Sequence, residues 1–168
     1  ADVDLAFRYE NGVRAEQEGL FMHQWTGGGV AELDLDNDLW PDLFFSQGGD
    51  LEKPDAQSKD GMFRNVQGTR FEAVADLAMK YEGGFGQGVA AGDIDNDGFT
   101  DLLVARAGEN VLLLNQGDGT FLQSELYPAE DSWTTSVAVA DIDGDANPDI
   151  YEVNYLTGDS VYTQRCDH

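Results

Sequence analysis

Cysteine is almost missing from this 168-residue chain, where Cys166 stands alone and no internal disulfide can form. A solitary cysteine near the end is expected to be incidental, and it says nothing about redox compartment. Basic residues are also scarce: 9 Lys and Arg face 33 Asp and Glu, for a formal charge of -24. Such a chain is repelled by nucleic acid and by anionic membrane surfaces, so neither is an expected partner. No apolar run nears the roughly 18 residues a membrane helix needs. No basic, apolar leader opens the chain, and a start at Ala1 suits a processed protein and a segment boundary equally. Histidine occurs only as His23 and His168, far apart in sequence. No Gly-x-Ser-x-Gly elbow and no P-loop is present, which removes the common nucleophilic and phosphate-cradling centres.

What is abundant is aspartate, and it is ordered. Asp-x-Asp-x-Asp-x-x-x-Asp is written three times: Asp34-Asp36-Asp38-Asp42, Asp93-Asp95-Asp97-Asp101 and Asp141-Asp143-Asp145-Asp149. With 22 Asp in the chain, chance supplies the pattern about 0.05 times per chain. Val-Ala precedes each copy (Val30-Ala31, Val89-Ala90, Val137-Ala138). A β-prone run follows each: Leu43-Phe44-Phe45, Leu102-Leu103-Val104 and Ile150-Tyr151-Glu152-Val153. The local reading is strand, acidic loop, strand.

The repeat continues. Met62-Phe63-Arg64-Asn65 matches Leu112-Leu113-Leu114-Asn115, and Phe71 and Phe121 stand at the same distance beyond. Gln67-Gly68 and Gly117-Asp118-Gly119 between them are hairpin turn chemistry. Each full unit is thus four short antiparallel strands, with the extra length of the first unit in a surface loop from Gly48 to Gly61. Counting on from Asp141 puts Val161-Tyr162-Thr163-Gln164 where a third strand of the third unit belongs. Four-stranded units at this spacing predict an all-β fold of β-propeller blades. The blade-like units are expected over about 25–84, 85–132 and 133–168, after an N-terminal strand segment 1–24. A partial propeller of about three blades leaves open sheet edges, which further blades or a protein partner would cover.

Crowded carboxylates imply a hard cation. Two like charges 4 Å apart repel by about 4 kcal/mol at an effective dielectric near 20. Calcium takes six to eight oxygens in irregular geometry, whereas magnesium wants stricter octahedra, and zinc wants His or Cys, absent from these loops. An EF-hand needs a bidentate Glu at position twelve, where Phe45, Val104 and Glu152 stand, and it needs flanking helices. Plain turn formation also explains Asp, Asn and Gly in one loop, but poorly in three with the same flanks. Asp-x-Asp after a strand occurs in phosphate-transferring enzymes, yet a catalytic centre written three times is implausible, and no enzyme is expected. Gly27-Gly28-Gly29 and Gly83-Gly84-Phe85-Gly86 read as turns entering strands. Trp25, Phe85 and Trp133, just before each Val-Ala, either form a ligand-facing rim or pack between blades; packing is the expectation.

At this point the chain resembles the FG-GAP/VCBS repeats of integrin α-subunit propellers, and more closely the bacterial ASPIC/UnbV group related to cartilage acidic protein. The residues that carry this are Gly88 to Gly98 (GVAAGDIDNDG), Asp101-Leu102-Leu103-Val104 and Leu114-Asn115-Gln116-Gly117-Asp118-Gly119-Thr120-Phe121. Gly27-Gly28-Gly29-Val30-Ala31 and Trp40-Pro41-Asp42-Leu43-Phe44 add to it. The resemblance implies up to three Ca²⁺ ions, held by loop positions one, three, five and nine and by the carbonyl of position seven: Trp40, Phe99 and Asn147. The family's glycine at position six is met only by Gly98. Leu39 and Ala146 replace it in the other loops, so weaker binding or altered geometry is expected there. It further implies a non-catalytic calcium-binding scaffold in an extracellular or periplasmic setting, where modules bind calcium at about 10⁻⁴–10⁻³ M. A structural subunit of a larger complex, or the non-catalytic part of a larger extracellular enzyme, are the alternatives.

Overall fold

The computed structural model describes residues 5–14, 16, 19–51, 59–74, 84–125 and 131–166. Its strands are β1 (Leu20–Phe21), β2 (Val30–Leu33), β3 (Asp42–Phe45), β4 (Gly61–Val66), β5 (Arg70–Ala73) and β6 (Phe85–Gly92). They continue as β7 (Asp101–Gly108), β8 (Val111–Asn115), β9 (Phe121–Gln123), β10 (Ser132–Ala140) and β11 (Asp149–Thr157). A short helix, α1 (Ser160–Thr163), and β12 (Arg165–Cys166) complete the described chain.

The fold is all-β and antiparallel, as the strand-turn punctuation predicts. Strands β2-β3-β4-β5 form one meander, with Leu43 opposite Phe63 and Asn65 opposite Phe71. Strands β6-β7-β8-β9 repeat it in register, with Leu102 opposite Leu113 and Asn115 opposite Phe121. β8 leaves β7 at Val104, and β10 takes that edge at Ala107 and Gly108. This seats the β10-β11 hairpin beside the second meander in one six-stranded sheet.

The two meanders bury their apolar faces against each other. Ala31, Leu33, Leu35, Phe44 and Met62 of the first meet Leu102, Val104, Val111, Leu113 and Phe121 of the second. Phe44, Leu102 and Leu113 lose all solvent contact, and a fully buried side chain of this kind stabilises by about 1.5–3 kcal/mol. The backbones also touch: a Cβ on Gly29 would lie 2.8 Å from Val89 N, so only glycine fits.

Two expectations need correction. Residues Val161 to Thr163 form the helix α1 and not a third strand. Gly158, at φ 62°, turns the chain out of the line of β11, and Val161 is then buried against Phe85, Ala107 and Trp133. A strand continuing past β11 would forgo that burial. Within 1–24, the one strand among the described residues is the two-residue β1, which pairs with β12 (Leu20 with Cys166, Phe21 with Arg165) and runs into a 3-10 turn over Met22–Trp25. Residues 7–10 instead cross the first meander through side-chain bonds: Glu10 N–H donates to Gln47 Oε1 at 2.7 Å, and Gln47 Nε2 donates to Arg8 O at 3.0 Å. At the start of the Gly48–Gly61 stretch Gly48 is buried and Gly49 to Leu51 are half-buried, while residues 52–58 of that expected surface loop lie outside the described residues.

Phe85 and Trp133 pack as expected, in a second core cluster with Ala107 and Val161. Trp25 does not, being 59 % exposed. His23 belongs to this cluster, stacked on Phe21 and edge-on to Phe85, and burial lowers its pKa.

Candidate metal centres

Each acidic loop joins the first and second strands of its unit: β2 to β3, β6 to β7 and β10 to β11. The loops share one hydrogen-bond plan. The first Asp accepts two backbone N–H groups from within the turn. Asp34 takes those of Asp38 and Leu39 at 3.0 and 2.9 Å. Asp93 takes those of Asp97 and Gly98, both at 3.0 Å. Asp141 takes those of Gly144 and Ala146, at 2.8 and 3.0 Å. The chain achieves this by entering the left-handed region at positions four and six. Those positions are Asn37 and Leu39 (φ 57° and 69°), Asn96 and Gly98 (60° and 94°), and Gly144 and Ala146 (81° and 68°). Leu39 and Ala146 thus adopt the backbone their glycine counterpart adopts, at a strain cost of about 1–2 kcal/mol each.

The ninth Asp closes the loop from below. Its Oδ2 accepts the N–H of position two: Leu35 to Asp42 at 2.8 Å, Ile94 to Asp101 at 2.8 Å, Ile142 to Asp149 at 2.9 Å. In the two complete units its Oδ1 also accepts the N–H of the recurring Asn, Asn65 at 2.6 Å and Asn115 at 2.8 Å. Asp42 and Asp101 are fully buried. Burial raises both carboxyls above the usual range, against the N–H bonds that lower them, and the neighbouring acidic groups add to the rise.

Positions one, three and nine converge in all three loops. Asp34, Asp36 and Asp42 each offer an oxygen within 4.8 Å of the others, as do Asp93, Asp95 and Asp101, and Asp141, Asp143 and Asp149. Position five stands apart from these triads. Asp38, Asp97 and Asp145 each accept the N–H of position seven, Trp40, Phe99 and Asn147, at 2.9, 2.9 and 2.8 Å. That bond holds the Asp145 carboxyl below the usual carboxylate range. The donor set is wholly oxygen, and Asp36 Oδ1 is buried with no hydrogen-bond partner. A hard divalent cation fits such a set, and the three clusters can hold metal ions.

Three features of these centres escape sequence reading. Asn65 and Asn115 tie the loop to the third strand, each also donating Nδ2 to the position-eight carbonyl, Pro41 at 3.0 Å and Thr100 at 3.2 Å. Their recurrence was a visible signal, but their role was not. The aromatic rings at position seven lie on hairpin glycines at positive φ. A Cβ on Gly68 would come within 2.7 Å of the Trp40 ring, and one on Gly117 within 2.3 Å of the Phe99 ring. Arg64 reaches the first loop alone, where its guanidinium lies 2.5 Å from Asp36 Oδ2 and 3.2 Å from Asp38 Oδ2.

Among the described residues no helix is long and apolar enough to cross a membrane. No curated protein gives a significant match to the chain. The family model for the FG-GAP-like repeat matches twice, over residues 34–104 and 93–152, each match running from one acidic loop into the strand after the next. With that span covering most of its length, the chain belongs to the FG-GAP-like repeat family.

Proposed function

We propose that the chain is a calcium-binding, non-catalytic β-propeller module that serves as a protein-interaction scaffold outside the cell or in a periplasm. The observation that carries this is the threefold convergence of carboxylates at positions one, three and nine, from the partly buried first loop to the largely exposed third. In each loop the triad, with Asp38, Asp97 or Asp145 and the carbonyl of Trp40, Phe99 or Asn147 completing the set, would hold one ion. The ion supplies positive charge that offsets carboxylate repulsion and so clamps two strands together. Weak extracellular-type sites would fill only where calcium is near-millimolar. The opening Gly27-Gly28-Gly29-Val30-Ala31 and the Trp40-Pro41-Asp42-Leu43-Phe44 run support an affinity with the ASPIC/UnbV group and with integrin-like propellers.

The scaffold role rests on a second observation. Leu35, at loop position two, is buried between the first two units, whereas its counterpart Ile142 is 57 % exposed. Tyr151, Val153 and Tyr155 of β11 are exposed beside it. In the first unit the corresponding surface is covered by the next unit, so a further blade or a partner protein suits this face.

Thermal melting tests the calcium clamp: chelator lowers the melting temperature and calcium restores it, and indifference to both rejects the reading. Sedimentation tests the open face, where association should weaken in Val153→Lys and Tyr155→Glu. A monodisperse monomer at high concentration counts against it.

A further inference from the structure

Arg64 distinguishes the first loop from the other two. It sits on β4 opposite Glu72, one residue before the Asn65 brace. The matching place in the second meander, before Asn115 on β8, is Leu114. Arg64 forms ion pairs across this loop, to Asp36 and to Asp38. The contact uses Oδ2 of Asp36 and leaves Oδ1 of that residue, buried and unpartnered, facing inward.

We propose that Arg64 is a built-in counter-cation that ranks the sites: it keeps the first loop assembled without metal and makes it a weaker divalent site than the second. This rests on the calcium reading above. A fixed positive charge on two of the four carboxylates lowers the repulsion that metal binding relieves, and it repels the incoming dication. Asp36 Oδ1 and Asp34 remain free of it, so the site is weakened and not blocked. Loop two has a leucine at the same register and no such charge, so its ligands depend on the ion alone.

The experiment is a calcium titration of the whole chain followed by ¹H–¹⁵N spectra, in which the amides of Leu39, Gly98 and Ala146 report the three loops separately. In the unaltered chain Gly98 should respond at lower calcium than Leu39. In Arg64→Leu the Leu39 midpoint should fall about tenfold while that of Gly98 stays, and the melting temperature in chelator should drop. Arg64→Lys, which keeps the charge, should keep the original midpoint, and Arg64→Gln should repeat the effect of leucine should the leucine variant fold poorly. A Leu39 midpoint that stays or rises in both neutral variants, with Gly98 responding normally, overturns the ranking and leaves the calcium reading standing. Silence of all three amides overturns the calcium reading itself, and the ranking with it.

Discussion

The backbone N–H of Asn65 donates to Asp42 Oδ1 at 2.6 Å, across a gap of 23 residues. The other oxygen of Asp42 takes the N–H of Leu35 at 2.8 Å. One buried carboxylate therefore joins the loop, the strand that follows it and the third strand. Asp101 repeats the arrangement with Asn115 and Ile94. The ninth loop position is a structural pin whether or not an ion is bound.

Removing that pin should therefore hurt even in chelator. Asp101→Ala strands the buried N–H of Asn115 and the part-buried N–H of Ile94, a buried one being worth about 1–3 kcal/mol, so urea unfolding in chelator should show a loss of about 3 kcal/mol. Asp97→Ala, at an exposed position whose carboxylate accepts the N–H of Phe99, should change stability little in chelator. Equal losses in the two variants would contradict the division of roles.

The left-handed backbone at position six gives a second expectation. Leu39 is 89 % exposed, so Leu39→Gly surrenders no burial and relieves the strain of φ 69°. After the entropy glycine restores to the unfolded chain, a net gain of about 0.5 kcal/mol remains. Gly98→Ala, at φ 94°, should lose at least as much. Chemical denaturation of both variants checks the opposite signs.

Acid titration addresses a buried pair far from the loops. Asp60 and Arg106 lie 4.0 Å apart and nearly solvent-free between the first two units. Burial pushes the Asp60 carboxyl up to about 6, against the opposing N–H of Gln47 and the charge of Arg106. A raised carboxyl binds its proton more tightly in the folded chain, so its stabilising contribution is complete below about pH 4 and is lost as pH rises through about 6. The total is about 3 kcal/mol. Unfolding free energies measured from pH 4 to 7 should fall less steeply in Asp60→Asn than in the unaltered chain. Parallel curves would show that Asp60 does not titrate this way.

The contact between the first two units should tolerate little loss of volume. Phe44 is fully buried among side chains of both meanders, and Phe44→Ala should cost about 3–5 kcal/mol. Trp25→Ala, at an exposed ring, should cost far less. Melting both variants in calcium compares them directly.

The strand-loop-strand units were legible because their signals are local. Alternating β-prone runs, aspartates spaced by two and hairpin glycines each act within a few residues. Sequence reasoning failed where a distant partner decides. α1 forms because Val161 finds Phe85 and Trp133, and nothing in residues 158–164 announces that pocket. Arg64 looked like an ordinary strand residue, since the loop it touches lies 26 positions away. At position six the altered backbone expected without glycine is not seen. Leu39 and Ala146 reach the same left-handed backbone, because the N–H bonds to Asp34 and Asp141 hold it.

The small ladder between β1 and β12 gives the chain a mechanical property. It fastens Phe21 to Arg165, whose guanidinium also rests 4.3 Å from the centre of the Phe21 ring. Tension applied beyond Cys166 loads this clasp before it reaches β11, whereas residues 7–10 tie the N-terminal side directly to the first meander. Opening two rungs is easier than tearing a four-stranded meander, so the clasp yields first and the acidic loops stay intact under moderate pull.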